Sequence, residues 1–282
     1  MSILLVTVAL VAAYQLGVVL AVKYGWKNKR VPHRRDPSLL GLGFETVRIP
    51  TAGGKTLHGW WIASEHGRAR CLVLVHGWGR NVERMLPWIE LLHPAGFDLL
   101  TFDARHHGSS DEDGYATMLK FSEDIRAAVG WAVRRSGAAE VGVLGLSVGG
   151  SAAIHAASLE PRIAAVATVG AFADPSDPRA TIGRHWWVLA LGLPLAFRLV
   201  ERRIGFRFRD VAPEQVIAKA RARFLLIHGT DDVVVPVSNA RRLAAAGDSK
   251  VQTWIIPGRG HSDPNREPAM AARLATFFER AS

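Results

Sequence analysis

Cysteine is nearly absent from this chain: Cys71 is the single one, and a single cysteine closes no intramolecular disulfide. It lies in the apolar run Cys71-Leu72-Val73-Leu74-Val75, where a small core residue rather than a nucleophile is expected. Internal repeats and low-complexity tracts are missing as well. With 49% hydrophobic and 21% charged residues the composition is globular, which excludes extended disorder and a polytopic membrane protein. Acidic residues are wanting before Asp36, whereas Lys23, Lys27, Lys29, Arg30, Arg34 and Arg35 all precede it. These six account for most of the net charge of +10, leaving +4 on everything after them. Neither zinc-finger spacing nor an RNA-binding signature accompanies the basic excess, so no nucleic-acid partner is expected. At 282 residues the chain suits one large α/β domain with a short appendage, not two enzyme domains.

One long hydrophobic run is present. From residue 3 to residue 22 the sequence carries no charge, and at about 1.5 Å per residue a helix of that length spans roughly 30 Å. Tyr24 and Trp26 follow at headgroup level, then the six basic residues, so the run reads as a single membrane anchor with the C-terminal domain in the cytoplasm. A secretory signal is the competing reading. Against it, Met1-Ser2 supplies no positive charge and no small-x-small cleavage site follows. A buried N-terminal helix would have to hide apolar surface all round. The expected division is an anchor and basic segment over residues 1–35 and a catalytic domain over residues 36–282.

After Pro32 and Pro37, residues 44–50 and 57–63 read as two antiparallel strands joined at Ala52-Gly53-Gly54. From residue 70 the rhythm changes. Apolar runs at 71–75, 99–102, 141–144, 163–169, 224–227 and 251–256 mostly alternate with helical stretches near 82–95, 120–135, 150–158, 238–246 and 267–280. Such alternation predicts an α/β fold: a mainly parallel twisted sheet with helices on both faces. Residues 174–213 break the pattern and read as a helical insertion.

The segment Val141-Gly142-Val143-Leu144-Gly145-Leu146-Ser147-Val148-Gly149-Gly150 combines a strand, a Gly-x-Ser-x-Gly turn and the start of a helix. A sharp strand-to-helix turn lifts the serine hydroxyl above the sheet, and glycines on either side let neighbouring elements approach. The helix also presents N–H groups and its positive dipole end to a developing oxyanion. With 27 glycines in the chain the pattern alone is a modest signal, and a structural turn with a satisfied serine is the bland alternative.

Four further motifs follow in order, and with them residues 44–280 resemble the α/β-hydrolase superfamily, in particular bacterial serine aminopeptidases and esterases. His76-Gly77-Trp78-Gly79 looks like the family's oxyanion loop; the resemblance implies that the N–H groups of Trp78 and Val148 form the oxyanion hole, with His76 holding the loop. Asp103-Ala104-Arg105-His106-His107-Gly108-Ser109-Ser110 is similar to the family's Asp-x-Arg-x-x-Gly-x-Ser loop, except that His106 stands where glycine is frequent. A metal at His106, His107 and Asp111 is not expected, because the ligand spacings of metallohydrolases are absent. His228-Gly229-Thr230-Asp231-Asp232-Val233-Val234-Val235-Pro236 resembles the acid motif and selects Asp232, with Asp231 the near alternative and Asp174 a remote one. Pro257-Gly258-Arg259-Gly260-His261-Ser262 looks like the catalytic-histidine loop. The resemblance thus implies a triad of Ser147, Asp232 and His261, acyl transfer, and no cofactor or metal.

The insertion joins the apolar aromatic stretch His185-Trp186-Trp187-Val188-Leu189 to Arg198, Arg202, Arg203, Arg207 and Arg209. Both a membrane-surface element and a cap helix with a solvated basic flank fit that composition. The expected partner is a small-molecule or lipid-like acyl substrate. A peptidase and a non-catalytic scaffold on the same fold are the alternatives.

Overall fold

The computed structural model describes residues 3–24, 28–65, 70–177 and 193–279. The chain opens with helix α1 (Ile3–Tyr24), then the hairpin β1 (Glu45–Thr51) and β2 (Lys55–Ile62). Gly53 and Gly54, at φ 69° and 68°, make its turn, a conformation closed to most side chains. On the edge strand β1 only Val47 and Ile49 are buried, the alternation of a strand with one dry face.

Alternation of strand and helix follows: β3 (Cys71–Val75), α2 (Leu86–Leu92), β4 (Asp98–Phe102), α3 (Met118–Ser136), β5 (Val141–Leu146), α4 (Val148–Ala157) and β6 (Ile163–Val169). The expected helix over 82–95 arrives as α2 flanked by 3-10 turns at Val82–Met85 and His93–Ala95. Pro87 sits in the first turn of α2 and Pro94 at the start of the second 3-10 turn, where a missing N–H is tolerated; in a helix interior it would not be. Thr117 caps α3 by accepting from the Lys120 N–H, and Gly137 ends it at φ 73°. The insertion contributes α5 (Leu193–Ile204), α6 (Phe208–Val211) and α7 (Pro213–Val216); its aromatic stretch over 185–189 lies outside the described residues. β7 (Arg223–Gly229), α8 (Ser238–Gly247), β8 (Val251–Ile256) and α9 (Met270–Glu279) complete the fold.

The eight strands form one sheet in the order β1-β2-β4-β3-β5-β6-β7-β8, antiparallel at β1-β2 and β2-β4 and parallel elsewhere. Strand β3 sends Val73 and Val75 to a core that includes Phe121, Ile125 and Ile154 of α3 and α4. Leu72 and Leu74 point the opposite way, into a core with Trp88, Ile89, Leu274 and Phe278 of α2 and α9. Both faces being dry explains why β3 and β5 are unbroken apolar runs. Burial pushes the Cys71 thiol far above its ordinary pKa, with Asp98 adding to the shift, as suits a core residue. Sequence-adjacent strands diverge around β3, and in open α/β sheets the crevice at the carboxyl ends near such a switch point is where ligands bind.

α1 lies against α5, with Leu5, Leu10 and Leu16 exposed. Among the described residues no helix is long and apolar enough to cross a membrane. The single crossing expected over residues 3–22 is therefore not supported.

Candidate active site

Ser147 stands between β5 and α4 at φ 52°, ψ −122°, a left-handed backbone that L-residues seldom adopt. The flanking glycines have specific reasons. A Cβ on Gly145 would come within 2.5 Å of the Gly149 carbonyl, and one on Gly149 within 2.5 Å of the His76 carbonyl. Strand, helix and oxyanion loop can therefore meet only without side chains at these two positions. The Ser147 N–H donates to the Val169 carbonyl at 2.8 Å, tying the turn to the end of β6.

The next two strands bring Asp232 and His261 to the same edge. Asp232 follows β7 and is buried; its Oδ2 lies 2.7 Å from His261 Nδ1, in the loop after β8. Its Oδ1 accepts the N–H groups of Val234 and Val235 at 2.9 and 2.8 Å. Gly170, one residue past Val169 at φ 64°, packs beneath this pair: a Cβ there would fall 2.9 Å from His261 Nδ1 and 3.2 Å from Asp232 Oδ2. Burial alone would raise the Asp232 pKa. Hydrogen bonds from His228 and His261, the His261 charge and the Val235 amide outweigh it and hold the carboxyl well below the usual carboxylate range. Asp231 instead faces solvent and accepts from Thr230 Oγ1. Asp174 is turned to Ser176 and to Arg242 at 4.0 Å, away from His261's partner.

The loop after β3 abuts the serine: a Cβ on Gly77 would lie 3.4 Å from Ser147 Cβ. Two neutral histidines brace it. His76 Nε2 accepts the Ala104 N–H at 3.1 Å while Nδ1 pairs with the Gly77 carbonyl at 2.7 Å. His107 Nε2 accepts the Gly79 N–H at 3.1 Å while Nδ1 pairs with the Arg105 carbonyl at 3.0 Å. Burial lowers both pKa values, that of His107 to about 3, with His76 reinforcing it. With both ring nitrogens of His107 occupied by backbone, it has no lone pair left for a metal. Trp78 and Val148 border, with Ser147, a cavity of about 440 Å³ closed by Phe172, Ile204 and Phe208. The side chains that close it are apolar, and the arginines expected as a basic flank, among them Arg198, Arg202 and Arg209, are exposed.

The loop after β4 is built around two carboxylates. Asp124 is buried against Arg105, accepting its N–H at 2.8 Å and its Nε at 2.7 Å. Asp103 is fully buried, its Oδ1 accepting the Val82 N–H at 2.8 Å and its Oδ2 the Ser109 N–H at 2.8 Å. Gly108 must be glycine here, since a Cβ would sit 2.1 Å from Asp103 Oδ2. His106 occupies a position at φ 66°, which accounts for glycine being common there; its ring Nδ1 is buried without a partner. Among the described residues one trio has metal-ligand types close together: His33, His58 and Asp103, with ligand atoms within 4.8 Å of one another. His33 Nε2 lies 2.7 Å from Asp103 Oδ2, a hydrogen bond. Two ligands on one tetrahedral ion with bonds near 2.0 Å stand about 3.3 Å apart, so the trio is an ion-pair cluster instead. The hydrogen bond to Asp103 raises the His33 pKa against its own desolvation.

Sequence reasoning missed three residues. His228 braces the acid, its Nε2 2.8 Å from the Val235 carbonyl and 3.3 Å from Asp232 Oδ2; its place opening the acid motif was the available signal. His33, which meets Asp103 across 70 residues, and Asn81, which meets Val31 across 50, left no local signal.

The chain matches the serine aminopeptidase, S33, family of hydrolases over residues 67–215. It is 28% identical over 270 residues to an uncharacterized protein of Mycobacterium tuberculosis, covering 91% of this chain and 88% of that protein. The M. tuberculosis esterase LipC is 31% identical over 182 residues, 56% of this chain and 45% of the esterase. Among solved structures, the Pyrococcus furiosus esterase Pf2001 superposes with a TM-score of 0.73 at 22% identity, over 90% of this chain and 99% of the esterase, a likeness of fold.

Proposed function

Since the chain belongs to the serine aminopeptidase S33 family of α/β-hydrolases, we propose that it cleaves an ester, thioester or amide of an acyl substrate, with Ser147 as nucleophile, His261 as base and Asp232 as the acid that orients it. The observation that carries this reading is the pairing of buried Asp232 with His261, seated on Gly170, next in chain to the carbonyl that holds the Ser147 N–H. His261 takes the Ser147 proton as the hydroxyl attacks the carbonyl carbon. The resulting oxyanion is met by the N–H groups of Trp78 and Val148, fixed in place before the charge appears. The proton passes to the leaving alcohol, thiol or amine, and water then releases the acyl group by the same route reversed. Asp232, held ionised by its donors, keeps the ring in the productive tautomer and stabilises the imidazolium.

The apolar cavity beside Ser147 favours an acyl chain over a charged peptide, and the match to an esterase of M. tuberculosis agrees with it. A peptidase remains the second reading because the triad does not choose between bonds. A fluorophosphonate probe tests the proposal. Wild-type protein should label stoichiometrically at Ser147 and Ser147→Ala should not; folded wild type that stays unlabelled would favour a non-catalytic scaffold instead. Placement of the domain on the cytoplasmic side of a bilayer is also proposed, on the apolar run over residues 3–22 and the basic residues behind it. A C-terminal reporter shielded from protease in intact cells would support it, and a cleaved one would overturn it.

A further inference from the structure

The stretch from Asn28 to Asp36 leaves α1 and would be free to wander if it merely joined two parts. It does not. Asn28 Nδ2 donates to the His106 carbonyl at 3.3 Å, and Arg30 donates to the carbonyls of Gly108 and Ser110 at 3.0 and 2.7 Å. These three acceptors all lie in the loop after β4. On the other side, Asn81 Nδ2 donates to the Val31 and Pro32 carbonyls at 3.1 and 3.3 Å, and Glu83 Oε1 accepts the backbone N–H groups of Arg34 and Arg35. Asn81 and Glu83 belong to the continuation of the oxyanion loop. Between the two anchorages, His33 Nε2 bonds Asp103 Oδ2, while the other oxygen of that carboxylate holds the Val82 N–H.

One short segment therefore grips both loops that shape the nucleophile's surroundings. The loop after β3 carries Trp78, and the loop after β4 carries His107, whose Nε2 accepts the Gly79 N–H one residue beyond Trp78. We infer that residues 28–36 act as a strap across these two loops and that His33 is a positioning residue, setting through Asp103 and Val82 where the Trp78 amide points. The inference rests on the acyl-transfer reading for its effect on rate, but the contacts it concerns are independent of that reading. An oxyanion donor is useful only at its fitted position, and displacement by a fraction of an ångström removes part of its benefit. Asp103 is fully buried, and from outside the two loops His33 reaches it at hydrogen-bond distance, 2.7 Å, whereas His58 Nδ1 stays 3.6 Å from the same oxygen.

The test uses the full-length chain as wild type, His33→Ala and His33→Gln, assayed on a short p-nitrophenyl ester, with amide hydrogen exchange followed over residues 76–83. His33→Ala should lower kcat about tenfold with KM within about twofold, and speed exchange over that loop. His33→Gln, whose amide can donate in place of Nε2, should recover most of both. Unchanged kcat and unchanged exchange in His33→Ala would overturn the inference, as would an equal defect in His33→Gln. Should His33→Ala fail to fold, Arg30→Ala, which loses the bonds to Gly108 and Ser110, is read the same way. If wild type turns over no ester and takes no fluorophosphonate, the acyl-transfer reading falls, and the exchange comparison still decides whether the strap orders the loop.

Discussion

Two aspartates stand side by side after β7, and the backbone sends them to different solvents. Asp232 turns inward to His261 and His228, while Asp231 turns out to Thr230 and water. Counting along the acid motif reached the same residue, because the spacing from His228 to Val235 is itself imposed by the bond between them. Asp232→Asn should therefore lower kcat by about 10³–10⁴-fold on an activated ester, since an amide would present the wrong tautomer partner to Nδ1. Asp231→Asn should leave it within about twofold. A larger loss from the Asp231 change would move the acid by one residue. His106 shows what residue patterns could not resolve: its departure from glycine was visible, but only the backbone, at φ 66°, says what the glycine is usually for.

Elements were legible where apolar residues run together, whether buried throughout as in β3 or only at Ile256 as in β8. Strands β3, β6 and β8 coincide with the apolar runs read from sequence, and β5 and β7 extend theirs by a few residues, into the turn that lifts Ser147 and the glycine before Asp232. The stretch 82–95 reads as helical in sequence; the prolines within it, Pro87 and Pro94, act through a lost N–H, which periodicity does not register. The strap was invisible for a different reason. Its bonds run from residues 28–36 to residues 81–110 through carbonyls and amides, and backbone acceptors carry no sequence signature. Elements α5 and α6 of the insertion supply Ile204 and Phe208 to the cavity wall. Ile204→Trp should cut kcat/KM for an octanoyl ester about tenfold more than for an acetyl ester. Equal losses on the two would show that the acyl group is bound elsewhere.

For the molecule as a whole, the buried neutral histidines tie stability to pH. His107 is held unprotonated in the fold down to about 3, while in the unfolded chain it takes a proton near 6.5; His76 is shifted the same way. The stabilisation is full above 6.5 and is lost as pH falls from there toward 3, with a slope of up to about 1.4 kcal/mol per pH unit for such a group. Thermal melts should show a Tm on the order of 5 °C lower at pH 5 than at pH 7, and His107→Gln, which keeps an acceptor for the Gly79 N–H, should flatten that difference. A Tm that does not move would mean that the ring is not held neutral. The left-handed backbone of Ser147 sets a second condition on the whole fold. Any Cβ at that position costs about 1–2 kcal/mol, so Ser147→Ala should melt close to wild type whereas Ser147→Gly should melt about 2–4 °C higher. With Ser147 as the proposed nucleophile, selection for turnover and selection for durability pull against each other at one residue. A descendant released from the need to react would drift toward glycine there and become hardier for it, and its sequence would record the lost chemistry as a gain in heat tolerance.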